Sequence, residues 1–92
     1  MYVIIDESLD PISGCVQGGH AVAQYLIENP DSEWKNNYLV YLKGDVKKIM
    51  LTLESLGIYY TEFHEPDLND KVTAIAVLNH KNLFKRLELI GR

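Results

Sequence analysis

Apolar positions come in blocks whose period changes along the chain. Tyr2-Val3-Ile4-Ile5 is a short continuous apolar run rich in β-branched residues, which predicts a buried central strand. From Asp10 onward the period becomes helical. Ile12, Val16, Gly19, Val22, Ala23, Leu26 and Ile27 share one side, which predicts that this side packs on a sheet. Ser13, Gln17, His20 and Gln24 form a polar stripe beside it. The helix start is marked by Asp10, whose carboxylate can accept first-turn N–H groups, and by Pro11, which has no N–H to lose. Pro30 sets the stop at Glu28 or Asn29. Gly18 and Gly19 inside this helix each cost about 1 kcal/mol relative to Ala. Either the sheet below or a partner above must therefore approach that backbone.

The rest of the pattern is equally segmented. Residues 38–42 predict a second strand, ended by Lys43-Gly44. Asp45 caps a second helix with Val46, Ile49, Met50, Leu53 and Leu56 at its apolar positions and Gly57 as its stop. Residues 58–63 and 71–78 predict a third and a fourth strand, residues 81–87 a short helical piece, and Leu89-Ile90 an apolar tail. This order predicts a single domain over residues 1–92. The expected fold class is α/β, a three-layer sandwich with a central mixed four-stranded sheet and helices on both faces. Right-handed crossovers make the first two strands parallel neighbours. Ligands gather at the C-terminal strand ends and adjacent helix N-termini of such sheets, which puts residues 6–13 at the functional edge.

Composition narrows the function classes. With 92 residues, 47% hydrophobic and 24% charged, the chain reads as one globular domain. A single cysteine, Cys15, excludes an internal disulfide framework and suits a reducing, cytoplasmic setting. The N-terminus lacks the basic region and cleavage site of a signal peptide, and no apolar run approaches the ~20 residues of a membrane span. A net charge of −4 opposes nucleic-acid binding unless a local basic patch overcomes it. Lys35, Lys43, Lys47 and Lys48 are the candidates for such a patch, although a solvated helix face is the commoner meaning.

Few residues carry candidate chemistry. His20 sits on the polar stripe with Gln17 one turn before it; its plainer reading is a helix histidine bonded to a neighbouring loop. Glu65 and Asp67 flank Pro66, and a carboxylate in a stiffened loop can serve as a general base or simply satisfy its turn. Thr73 follows in the next strand. Cys15, His20, His64 and His80 lack metal-ligand spacing, so no zinc site is expected. No phosphate loop, dinucleotide fingerprint or serine nucleophile elbow is present.

One longer stretch is informative as a whole. Residues 6–21, Asp-Glu-Ser-Leu-Asp-Pro-Ile-Ser-Gly-Cys-Val-Gln-Gly-Gly-His-Ala, resemble without a gap the signature of type II peptidyl-tRNA hydrolases, through Asp6, Leu9, Asp10, Gln17, His20 and Ala21. Trp34, the second strand, the second helix with its glycine stop, and Thr73-Ala74-Ile75-Ala76 recur in similar order, so the likeness covers nearly the whole chain. The departures are specific. Ser13 stands where the family has a lysine, Glu65 or Asp67 replaces the family's loop aspartate, and the loop before Thr73 is shortened.

The resemblance implies hydrolysis of the ester that joins a peptide to the 3′ ribose of tRNA. A water would be positioned by Glu65 or Asp67 with Thr73 as hydrogen-bond partner, while Gln17 and His20 shape the site from the helix. The helix N-terminus near residues 10–13 would stabilise the developing oxyanion. Ser13, Gln24 and Lys71 would contact substrate, with the missing lysine's role left to backbone N–H groups or to a nearby lysine such as Lys71. The implied partner is peptidyl-tRNA, with a homodimer allowed and with no cofactor, metal or membrane. The competing expectation is a catalytically inactive relative that binds protein or RNA through the same face.

Overall fold

A computed structural model describes residues 1–91. The fold is α/β, with a mixed five-stranded sheet and three helices. In chain order the elements are β1 (Tyr2–Asp6), α1 (Pro11–Glu28), β2 (Val40–Gly44), α2 (Val46–Ser55), β3 (Thr61–Glu65), a 3₁₀ turn (Pro66–Leu68), β4 (Lys71–Val77), α3 (Lys81–Phe84) and β5 (Glu88–Leu89). Across the sheet the order is β3-β4-β1-β2-β5. β1 and β2 are parallel neighbours, as the crossover argument predicts, with Tyr2 opposite Val40 and Asp6 opposite Gly44. The remaining pairs are antiparallel.

β1 lies in the middle, and its side chains alternate between two hydrophobic clusters. Val3 and Ile5 join Ala74, Ala76 and the α1 residues Ala21 and Tyr25. Ile4 joins Ile75, Val77, Leu42, Phe84 and the α2 residues Val46 and Leu53. A strand buried on both faces has to be apolar throughout, which is why β1 reads as an unbroken hydrophobic run.

The largest correction concerns the phase of α1. Its buried residues are Gly14, Gly18, Ala21 and Tyr25, whereas Ile12 is 81% exposed, Val16 55% and Ile27 72%. The reason is steric. Bulky groups already stand on the sheet side, so the helix comes down on its smallest residues. A Cβ on Gly14 would lie 2.8 Å from Ile5 Cγ2, and one on Gly18 would lie 2.8 Å from the Tyr41 ring. Gly19 differs, because its Cβ would meet only the Tyr41 hydroxyl, at 4.0 Å.

Smaller differences follow from hydrogen bonding. The tail read as Leu89-Ile90 supplies a fifth strand, β5, which pairs with β2 through Leu42 and Lys43, so the expected four strands become five. β3 starts at Thr61 and not at Ile58, because Gly57 at φ +67° turns the chain while the Ile58 N–H returns to the Leu53 carbonyl at 2.9 Å. α3 is shorter than expected and ends at Phe84. The basic patch is divided: Lys35 precedes β2, while Lys43 lies within its C-terminal end and pairs with Glu88 at 3.7 Å.

The hairpin between β3 and β4 carries a pH-sensitive contact. His64 Nδ1 faces the Asp70 carbonyl at 2.9 Å and Nε2 faces the Glu62 carboxylate at 3.0 Å, so both ring nitrogens are asked to donate. These bonds, Glu62 first, raise the His64 pKa above its ordinary 6.5. The charged form is therefore favoured in the fold, its contribution is complete below about pH 6.5 and is lost as pH climbs through the raised value. The N-terminal amine, pushed down to about 6 by burial, acts with the opposite sign in an overlapping window. The stability difference between wild type and His64→Gln, which cancels the amine, should shrink from pH 6 to pH 8 in matched-salt denaturant titrations.

Candidate functional site

The centre of the site is set by an irregularity in β4. Phe63 is opposite Ala74 but His64 is opposite Val72, so the register slips and Thr73 is left over as the extra residue. Such bulges re-aim a side chain out of the regular pleat. Thr73 is fully buried, and its hydroxyl donates to Gln17 Oε1 at 2.7 Å. With its carbonyl end fixed, Gln17 presents its amide nitrogen to Glu65 Oε2 at 2.8 Å. The other Glu65 oxygen accepts the Asp67 backbone N–H at 3.3 Å. A chain of hydrogen bonds thus links the middle of β4, one face of α1 and the end of β3, and holds one half-buried carboxylate in place.

This carboxylate borders an open cleft of about 590 Å³. One wall is the start of α1 with Ser13, Val16, Gln17 and His20; the other is the loop with Glu65, Asp67 and Leu68. Ser8, Leu9 and Asp10 close the end. His20 is held by stacking on Phe63, with ring centroids 4.6 Å apart and planes 10° from parallel.

Of the residues singled out in the sequence, Ser13, Gln17, His20, Glu65 and Asp67 line one cleft, and Thr73 is tied to them through Gln17. Gln24 is not part of it; its amide donates to Glu28 at 2.7 Å, farther along the helix. Lys71 stands at the margin, 3.6 Å from Asp6 Oδ2 and 3.3 Å from Ser8 Oγ. No family model, curated protein or solved structure matches this chain.

One feature of the site escapes a sequence reading. Asp6 is a junction: it accepts from the Val46 N–H at 3.2 Å, from the Ser8 N–H at 3.3 Å and from the Ser8 hydroxyl, and it faces Lys71. Burial pushes its pKa up, but the bonds from Ser8 and Val46 and the Lys71 charge outweigh it and hold the carboxyl below its ordinary value. Asp6 thereby pins the N-terminus of α2 and the loop before α1 to one strand end. Its position at the end of β1 was the available signal.

The N-terminus of α1 carries the cap expected from Asp10. The Asp10 carboxylate accepts the Ser13 N–H at 2.9 Å, and this bond, before others, keeps its pKa below the usual range. The helix start expected to face an oxyanion is thus matched by its own cap. Among the described residues, the cleft lining contains Asp10, Glu65 and Asp67 but no lysine or arginine. Among the described residues, no cluster of three His, Cys, Asp or Glu side chains could hold a metal ion. Nor is any helix of the described residues long and apolar enough to cross a membrane.

Proposed function

We propose that this protein is a peptidyl-tRNA hydrolase-like enzyme in which Glu65 is the general base. The observation that carries the reading is the bridge Thr73–Gln17–Glu65, which orients a carboxylate at the rim of an open cleft beside His20. In the reaction, Glu65 takes a proton from a water as its oxygen attacks the ester carbonyl carbon. The carbon–oxygen bond to the 3′ ribose oxygen then breaks, and the proton passes from Glu65 to that oxygen. His20, on the same wall, offers a ring N–H toward the attacked carbonyl. Lys71 supplies positive charge at the margin once the ribose and phosphate displace it from Asp6.

The fold in this reading is a three-layer sandwich, with α1 and α2 on opposite faces, supported by the two clusters that divide alternate residues of β1. An exposed free Cys15 suits a reducing cytoplasm. The test is incubation of the purified chain with an N-acylated aminoacyl-tRNA, reading release of the acyl amino acid and of tRNA with a free 3′ hydroxyl.

A second reading is a catalytically inactive relative that binds protein or RNA on the same face. It is favoured by the capping of α1 by Asp10 and by the pairing of Lys71 with Asp6, which leave the cleft without a committed oxyanion donor of positive charge. Ser13→Lys separates the two. Ser13 is exposed on the cleft wall. A lysine there should raise cleavage by up to about 100-fold, the scale of one oxyanion donor. In the binding reading both forms are inert, and Gln17→Ala with His20→Ala weakens partner binding instead.

A further inference from the structure

The outward side of α1 is apolar and has no cover from the described residues of its own chain. Ile12 is 81% exposed, Val16 55%, Leu26 41% and Ile27 72%, with exposed Gly19 and Ala23 between them. At 1.5 Å per residue this face is about 22 Å long. We propose that it is a self-association surface, on which α1 of a second copy packs antiparallel about a two-fold axis near Gly19.

Three observations select a second copy as the occupant. The first is area: these residues present roughly 500 Å² of surface, so two copies bury up to about 1,000 Å², the threshold of a specific interface. The second is charge. α1 contains no lysine or arginine, and its only acidic residue, Glu28, lies in its last position. A membrane-surface helix carries basic residues along its polar face, and a charged partner needs opposite charge to recognise; neither is present. An uncharged face pairs with itself without placing like charges together, and antiparallel packing sets the positive end of one helix dipole beside the negative end of the other.

The third is Gly19. Gly14 and Gly18 are explained by the sheet beneath them, whereas Gly19 has room for a Cβ in its own chain. A glycine on the outer face lets a facing backbone come close. Because Val16 belongs both to this face and to the cleft wall, the second copy stands beside the cleft of the first. The inference does not depend on the hydrolase reading.

Sedimentation equilibrium of the full chain from 5 to 500 µM tests it. The expected result is a mass rising toward twice that of the monomer, with Ile27→Asp weakening association at least tenfold and Leu51→Asp, on the exposed side of α2, leaving it unchanged. A second variant reads geometry. Gly19→Cys in a Cys15→Ser background should form a disulfide dimer on mild oxidation, faster than Leu51→Cys in the same background. A monomer throughout the range overturns the proposal, as does association that Ile27→Asp leaves intact. Cross-linking of Gly19→Cys no faster than of Leu51→Cys overturns the two-fold arrangement, and association seen only with added anionic vesicles assigns the face to a membrane.

Discussion

Glu65→Gln should lower cleavage of an N-acylated aminoacyl-tRNA by about 100- to 10,000-fold, the range supplied by a positioned general base. The substituted amide keeps the shape of the carboxylate and one oxygen, which can accept from Gln17 while the bond from the Asp67 N–H, made to the other oxygen, is given up, so the loss reports mainly the missing proton acceptor. Asp67→Asn is the control. Asp67 lines the same cleft, but the hydrogen bond that fixes Glu65 runs to the Asp67 backbone N–H, which the substitution retains. It should cost less than tenfold. Thr73→Val completes the set: it removes the donor that fixes Gln17, so Glu65 loses its orientation but keeps its charge. The fall in kcat should be intermediate, and the pH–rate profile should keep its shape. Equal effects of Asp67→Asn and Glu65→Gln would assign the base wrongly, and single-turnover rates at several pH values distinguish these outcomes.

The largest expected loss of stability is at Gly18. In Gly18→Val the new Cβ would start 2.8 Å from the Tyr41 ring and 3.1 Å from Ile5 Cδ1, in a space closed on both sides. Overpacking of this kind costs about 1–3 kcal/mol. At about 4–8 °C per kcal/mol for a domain of this size, the melting temperature should fall by roughly 4–24 °C. Gly19→Ala, one residue on, should do the opposite. It meets only the Tyr41 hydroxyl at 4.0 Å, so the gain in helix propensity of about 1 kcal/mol is realised without strain. Thermal unfolding of both variants at low concentration, where the monomer dominates, measures the contrast. The adjacent glycines carry opposite predictions because a helix turns about 100° per residue: Gly18 faces the sheet and Gly19 faces solvent.

Much of the fold was legible in the sequence. Asp10-Pro11 and Asp45 start their helices, with side chains accepting the Ser13 and Lys48 N–H groups, because capping depends on atoms only three residues apart. The apolar run at Tyr2–Ile5 implied a strand covered on both faces, and the parallel pairing of β1 with β2 followed from crossover handedness. The sequence also named Gln17, His20, Glu65 and Asp67, which line one cleft, and Thr73, which is tied to them through Gln17.

Other features were decided only by tertiary structure. Hydrophobic periodicity put Ile12, Val16 and Ile27 against the sheet, yet the helix lies on Gly14, Gly18 and Ala21. Periodicity records where apolar side chains recur, whereas packing depends on the volume already present on the opposing surface, here Ile5 and Tyr41. The bulge that releases Thr73 toward Gln17 depends on the pairing of β3 with β4, and a strand cannot disclose its partner's register. The same holds for Lys71, a single nearby positive charge in the sequence but already paired with Asp6 across the sheet edge. Local chemistry thus fixed the helix starts and the residue types of the site, while contacts distant in sequence fixed the strand bounds, which face is buried and which charges are paired.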